Sequence, residues 1–110
     1  MHEKYPIIAP RSKDTFTNNN LFSIEPGCYI EGKFGLRVEN LYVTKTSDKS
    51  LILKNITLVP YELDLIDFKL ITNFERKYIK QYHKKIYVNF QSRLSDEYRN
   101  YFLKNLINKI

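Results

Sequence analysis

Residues 23–43 read SIEPGCYIEGKFGLRVENLYV, and the rest of the chain is organised around them. Ser23 and Ile24 lead into Glu25, Pro26-Gly27 breaks the run, residues 28–31 resume it, Gly32-Lys33 turns, and residues 34–44 run back. Two extended runs about a glycine-containing turn predict a β-hairpin. The period of two on the return strand puts Arg37, Glu39 and Leu41 on one face, and Leu36, Val38, Asn40 and Tyr42 on the other. Glu39 therefore points the same way as an arginine. An acid flanked by Val38, Leu41 and Val43 is costly to bury unless a cation meets it. The residues leave two kinds of cation open: Arg37 or a lysine, or a metal ion shared with Glu25.

At 110 residues and 43% hydrophobic content the chain has the size and composition of one globular domain. No apolar run approaches the ~20 residues that span a membrane. Residues 1–10 hold no charged-then-apolar leader, so secretion is not expected. The lone Cys28 cannot close an internal disulfide, which fits a reducing compartment. The expectation is a cytoplasmic protein.

The net charge of +6 raises the question of nucleic acid. Lysine outnumbers arginine, and asparagine, isoleucine and tyrosine are also abundant, as an AT-rich coding sequence produces without selection for a ligand. The charge is also local, since the stretch from Lys69 to Arg93 carries seven basic residues against the single acid Glu75. On a helix Lys77, Lys80 and Lys84 lie opposite Ile79, Tyr82, Ile86 and Phe90 and read as a solvated face. Phosphate binding by these lysines is the alternative reading.

Along the chain, residues 1–20 carry Pro6, Pro10 and a polar run and are expected to be loop-rich, with residues 5–9 extended. Residues 21–60 form the sheet region. Within it 45–50, KTSDKS, is a polar connection, and 51–60, LILKNITLVP, is a strand apolar on both sides that wants covering neighbours. A crossing segment leads to Thr72-Asn73-Phe74-Glu75, which has the spacing of a capping box. Residues 72–110 are helical: an apolar stripe runs to about Phe90, then Ser95-Asp96-Glu97 starts a second helix. Its apolar side is Tyr98, Phe102, Leu106 and Ile110, widened by Leu103 and Ile107. His83, beside the first stripe, reads as a surface or satisfied core residue rather than a ligand. The class is α+β, in a single partial domain.

The wording of several motifs resembles the C-terminal part of the Xaa-Pro aminopeptidase (aminopeptidase P) family, metallopeptidases of the pita-bread fold. His2-Glu3 looks like the family's His-Glu-Gly-Pro motif, Ile8-Ala9-Pro10-Arg11 follows, and the likeness is strongest at IEPGCY and FGLRVENL. It continues through ITLVPYELDLID and Gln81-Tyr82-His83. The resemblance implies part of a curved sheet with helices on its outer side, and a site of two divalent metals, commonly manganese, bound by two Asp, one His and two Glu. By match Glu25 binds one metal, Glu39 bridges both, His2 contacts substrate and assists proton transfer, and Arg37 stands beside the bridging carboxylate. Hard oxygen ligands suit Mn²⁺, and shared carboxylates offset the repulsion of ions about 4 Å apart.

The sequence also departs from the pattern. The family's two Asp ligands and its His ligand precede the His-Glu motif, and this sequence begins one residue before that motif. Lys4-Tyr5 stands in place of Gly-Pro, and Cys28 in place of a tyrosine. Two carboxylates without a third protein ligand are expected to hold Mn²⁺ weakly. Strands without their sheet neighbours are expected to leave open edges and an uncovered apolar face, and so to favour association with another chain or a second copy. The isolated chain is thus expected to be an inactive relative of an aminopeptidase acting on Xaa-Pro peptides. The alternatives are one half of a split enzyme, completed by a chain carrying the two Asp and the His, and a basic nucleic-acid-binding module.

Overall fold

The computed structural model describes residues 11–110, and the chain divides into two units, the first ending at Thr57 and the second running Leu58–Ile110. Among the described residues five strands belong to the first: β1 Leu21–Ile24, β2 Gly27–Ile30, β3 Phe34–Arg37, β4 Asn40–Ser47 and β5 Ser50–Asn55. β1, β4 and β5 make one antiparallel sheet in that order, and β2 with β3 makes a separate two-stranded ladder. The predicted hairpin is therefore present but interrupted. Glu25-Pro26 on one side and Val38-Glu39 on the other fall outside both ladders. Pro26 explains the break, because it has no N–H to donate to the ladder.

The interruption does not shift the register. Ile24 pairs with Asn40 on one side of it and Gly27 with Arg37 on the other, so two residues are passed on each strand. Continuing the common register sets Pro26 opposite Val38, and the Val38 N–H does donate to the Pro26 carbonyl at 3.0 Å. At the tip the Lys33 N–H donates to the Ile30 carbonyl at 3.0 Å, and Gly32 has φ +68. A left-handed residue at that position is what a type II turn demands.

β4 runs three residues beyond its expected end. The polar stretch 45–50 is strand on both sides of a two-residue loop, Asp48-Lys49, with Ser47 paired to Ser50 and Asp48 at φ 50. Its polarity reflects exposure rather than absence of strand, since residues 45–50 are all exposed. β5 forms an edge, with Leu51, Ile52 and Leu53 exposed on both faces. Inside this unit Phe22 and Thr44 are buried, and Phe16 packs on Phe22 with ring centroids 4.8 Å apart. The Thr44 hydroxyl donates to the Thr17 carbonyl at 2.5 Å and accepts from the Asn20 N–H at 2.8 Å, tying the preceding loop to β4. Asn19 supports that loop in left-handed backbone, φ 65, a conformation asparagine tolerates.

The second unit opens with a 3₁₀ turn at Leu63–Leu65 and then α1, Asn73–Phe90. The capping box is complete: the Thr72 hydroxyl accepts from the Glu75 N–H, and the Glu75 carboxylate accepts from the Thr72 N–H at 2.7 Å. Ile79, Tyr82, His83 and Ile86 form the buried stripe. α2, Asp96–Phe102, is N-capped by Ser95 and passes into a π-helical turn at Leu103–Ile107, closed by the Asn108 N–H on the Leu103 carbonyl at 2.9 Å. Of the expected apolar side, Phe102, Leu103, Leu106 and Ile110 are partly buried. Ile107 is buried while Tyr98 remains 65% exposed.

Candidate functional site

Alternation along the hairpin places Ser23, Glu25, Gly27 and Tyr29 on the same face as Gly35, Arg37, Glu39 and Leu41. Every polar group singled out in the hairpin is on this face. The register sets Glu25 opposite Glu39. Because the neighbouring pair Pro26/Val38 is of the hydrogen-bonded kind, Glu25/Glu39 is of the other kind, in which Cα atoms approach to about 4.5 Å and side chains stand closest. Two carboxylates directly opposite repel. A cation at this point relieves that repulsion.

Arg37 is one such cation. Its Nη1 donates to Glu25 Oε2 at 2.6 Å, and Ser23 Oγ donates to Glu25 Oε1 at 2.9 Å, so both oxygens of Glu25 are held. The pair is open to water, with the two side chains 50% and 42% exposed, and contributes little to stability. Arg37 Nε donates to the Tyr29 hydroxyl at 2.9 Å. That contact, ahead of the charges of Glu25 and Glu39, raises the arginine's already high pKa further. The expected arginine-to-carboxylate pairing thus falls on Glu25. Among the described residues Glu39 makes no ion pair, and its charge acts on Arg37 through space.

Tyr29 was not singled out by sequence, although the signal is there. The register puts it opposite Gly35, with Gly27 two residues earlier on the same face. Its ring lies over both glycines: a Cβ on Gly27 would fall 2.6 Å from the hydroxyl, and one on Gly35 2.7 Å from Cδ1. The two glycines make the platform that lets the ring lie flat and reach Arg37.

His2, expected to contact substrate, lies outside the described residues, as do Glu3, Lys4 and Tyr5 and the extended run 5–9. Among the described residues no group of three or more His, Cys, Asp or Glu is placed to hold a metal ion. Glu25 and Glu39 are thus a pair of hard oxygen donors of the right kind, and by themselves an incomplete set. Cys28 is exposed. In the second unit Lys77 and Lys84 are exposed, but Lys80 is half-buried and its Nζ donates to the Ile110 carbonyl oxygen at 3.2 Å, so this lysine is drawn off the solvated face. No helix among the described residues is long and apolar enough to cross a membrane.

Residues 1–46 match the model of metallopeptidase family M24, and residues 49–110 match that of the C-terminal region of peptidase M24. Over 76 residues the chain is 41% identical to a protein of Pyrenophora teres f. teres named "Probable Xaa-Pro aminopeptidase P", covering 62% of this chain and 12% of that one. A protein of the same name from Arthroderma benhamiae is 40% identical over 77 residues, 63% of this chain and 11% of that one. The chain thus spans about an eighth of the length of the curated relatives it matches. The crystal structure of X-prolyl aminopeptidase from Caenorhabditis elegans, described as a cytosolic enzyme with a di-nuclear active site, superposes with a TM-score of 0.65 at 26% identity. That superposition covers 87% of this chain and 17% of the other.

Proposed function

The chain belongs to metallopeptidase family M24, and on that premise we propose that its hairpin supplies Glu25 and Glu39 as oxygen ligands to a pair of divalent ions, with manganese the preferred metal, in a site that removes the residue before proline from Xaa-Pro peptides. The observation that carries this reading is the placing of two carboxylates opposite each other at a non-hydrogen-bonded position, where a fold without use for them would meet only repulsion. When bound, such a metal pair supplies Lewis acidity and an acidified water for attack on the peptide carbonyl.

The chain's own residues have separate tasks in this reading. Ser23 and Arg37 hold the two oxygens of Glu25 and fix the plane of its carboxylate. Tyr29 orients the Arg37 guanidinium through Nε. Glu39, lying in the field of Arg37, would supply a second carboxylate to hold the metal pair. His2 contacts the substrate and moves a proton. Two carboxylates are fewer ligands than two ions need, so these 110 residues act as one part of a larger catalytic domain. Alone they bind metal weakly and do not turn over. The remaining two Asp and one His belong to the rest of that domain, and the enzyme works in the cytoplasm, the compartment of the C. elegans relative.

Affinity isolation of the chain from its own cells, with mass spectrometry of whatever accompanies it, tests this directly. The expected isolate carries the Asp, Asp and His ligands, on a longer form of this chain or on a companion, and it hydrolyses a Xaa-Pro peptide with Mn²⁺, an activity lost in Glu39→Ala. Hydrolysis that persists in Glu39→Ala overturns the assignment.

A further inference from the structure

His83 is used by nothing above, yet it is the most thoroughly enclosed titratable group among the described residues, with no exposed surface at all. Its Nε2 accepts the Tyr61 N–H at 3.0 Å, and its Nδ1 lies 2.6 Å from the Leu106 carbonyl oxygen. A backbone N–H can only donate and a carbonyl oxygen can only accept. The ring is therefore neutral, with its proton on Nδ1. Through these two bonds one side chain of α1 holds two stretches distant in sequence, the segment before the 3₁₀ turn and the π-helical turn near the C-terminal end. The Leu106 carbonyl, in the last turn of its helix, is one of those that lack an intrahelical partner. The neighbouring Tyr82 hydroxyl donates to the Val59 carbonyl at 2.9 Å and reinforces the first attachment.

We propose that His83 is an acid-sensitive latch: neutral, it fastens the Tyr61 segment and the C-terminal turn to α1; protonated, it cannot keep its place between them, and both come free together. The chemistry is a change of role at one atom. A proton on Nε2 turns an acceptor into a donor facing the Tyr61 N–H, two donors head to head at a fully enclosed site. The rings packed on His83 are Tyr61, Tyr82 and Phe102, and the two phenols stay neutral in this range. The charged groups on these elements are Glu62 at the cap of the 3₁₀ turn and Asp64 within it, Glu75, Arg76, Lys77, Lys80, Lys84 and Lys85 of α1, and Asp96, Glu97, Arg99, Lys104 and Lys109 of the C-terminal segment. Burial lowers the affinity of His83 for a proton, and the Leu106 carbonyl only partly restores it.

The sign follows from linkage. The unfolded chain takes up the proton near the ordinary 6.5, whereas the folded chain resists it until lower pH. Stability of the second unit is thus fully present above that value and falls below it, by about tenfold in the opening equilibrium per pH unit. Hydrogen exchange of the full chain between about pH 8 and pH 5, corrected for intrinsic rates, reads this out over the window in which histidine titrates. Protection of the Tyr61 amide and of residues 103–110 is expected to drop together and reversibly on acidification. In His83→Gln, whose amide offers one acceptor and one donor but cannot titrate, protection should be flat. An equal pH slope in both proteins overturns the proposal. Should the Gln variant not fold, ¹⁵N imidazole spectra of the unsubstituted chain decide: the Nδ1–H tautomer persisting at about pH 6.5 in folded protein supports the latch. A protonated ring in an intact fold at that pH ends it.

Discussion

The hairpin of the first unit and α1 of the second both place polar side chains among apolar ones, and they do so in opposite ways. In the hairpin, Ser23, Glu25, Tyr29 and Arg37 form a chain of hydrogen bonds in the open, with Ile30, Phe34 and Leu36 on the opposite face also exposed. In α1, His83 is enclosed by Tyr61, Tyr82 and Phe102, and both its nitrogens are matched to backbone groups. The hairpin fixes geometry through strand register, at little energetic gain. The helix derives stability from enclosure, at the risk that goes with any buried titratable group. A reactive face and a packed core make different demands, and here they fall in different units.

The largest effect that sharpens this contrast belongs to the packed unit. Ile86→Ala, at a position only 2% exposed, should destabilise the second unit by about 2–5 kcal/mol, a large share of the stability of a small fold. Urea titration followed by α1 amide signals measures it. The Tyr29 and Arg37 side-chain resonances should be unmoved at low urea, and their collapse alongside α1 would erase the distinction.

A middle-sized effect tests the helix start. Thr72→Ala removes the hydroxyl that accepts from the Glu75 N–H and should cost about 1 kcal/mol. The Thr72 N–H and hydroxyl also hold the Glu75 carboxyl below the ordinary 4.5. That contribution is present above this value and is lost as pH falls through the lowered one. The gap between thermal melts of the two proteins should therefore narrow from neutral to acid pH by the part the hydroxyl lends to the Glu75 carboxylate, leaving the part due to the cap itself, and a constant gap would separate the cap from the titration.

The smallest stability effect carries the sharpest local signature. In Gly35→Ala the new methyl would sit 2.7 Å from Tyr29 Cδ1, but the ring is 64% exposed and free to swing outward. Global stability should change by less than about 0.5 kcal/mol, while the Tyr29–Arg37 contact disappears from NOE spectra. Retention of that contact would show that the glycine platform does not position the ring.

The sequence made the hairpin, the helix start and the buried stripe legible because each rests on local chemistry: a Gly turn, a Thr-x-x-Glu cap, apolar residues at helical spacing. It also marked the break at Pro26-Gly27, and it named Glu25 and Glu39 through the family resemblance without setting them opposite each other. What it hid depends on geometry beyond a few neighbours. The unbroken register across Pro26, and with it the facing of the two carboxylates, needs both strands at once. The role of Tyr29 needs the knowledge that Gly35 lies opposite. Polar composition at residues 45–50 suggested loop where an exposed strand pair stands. The π-helical turn has no composition of its own, and Tyr98, expected on the apolar side, is exposed.

The shared register of the two ladders has a further consequence, best put as parity. Glu25 and Glu39 meet because the number of residues between them is odd, with the tip at Glu31-Gly32-Lys33 as the midpoint. Shortening the tip by one residue with the three-residue turn re-formed would slip the ladder by one and carry Glu39 to the other face, while a loss of two would leave both carboxylates facing. An insertion or deletion in this loop is therefore not a matter of loop length but of odd and even, and the site is encoded as much in a count as in the identity of its acids.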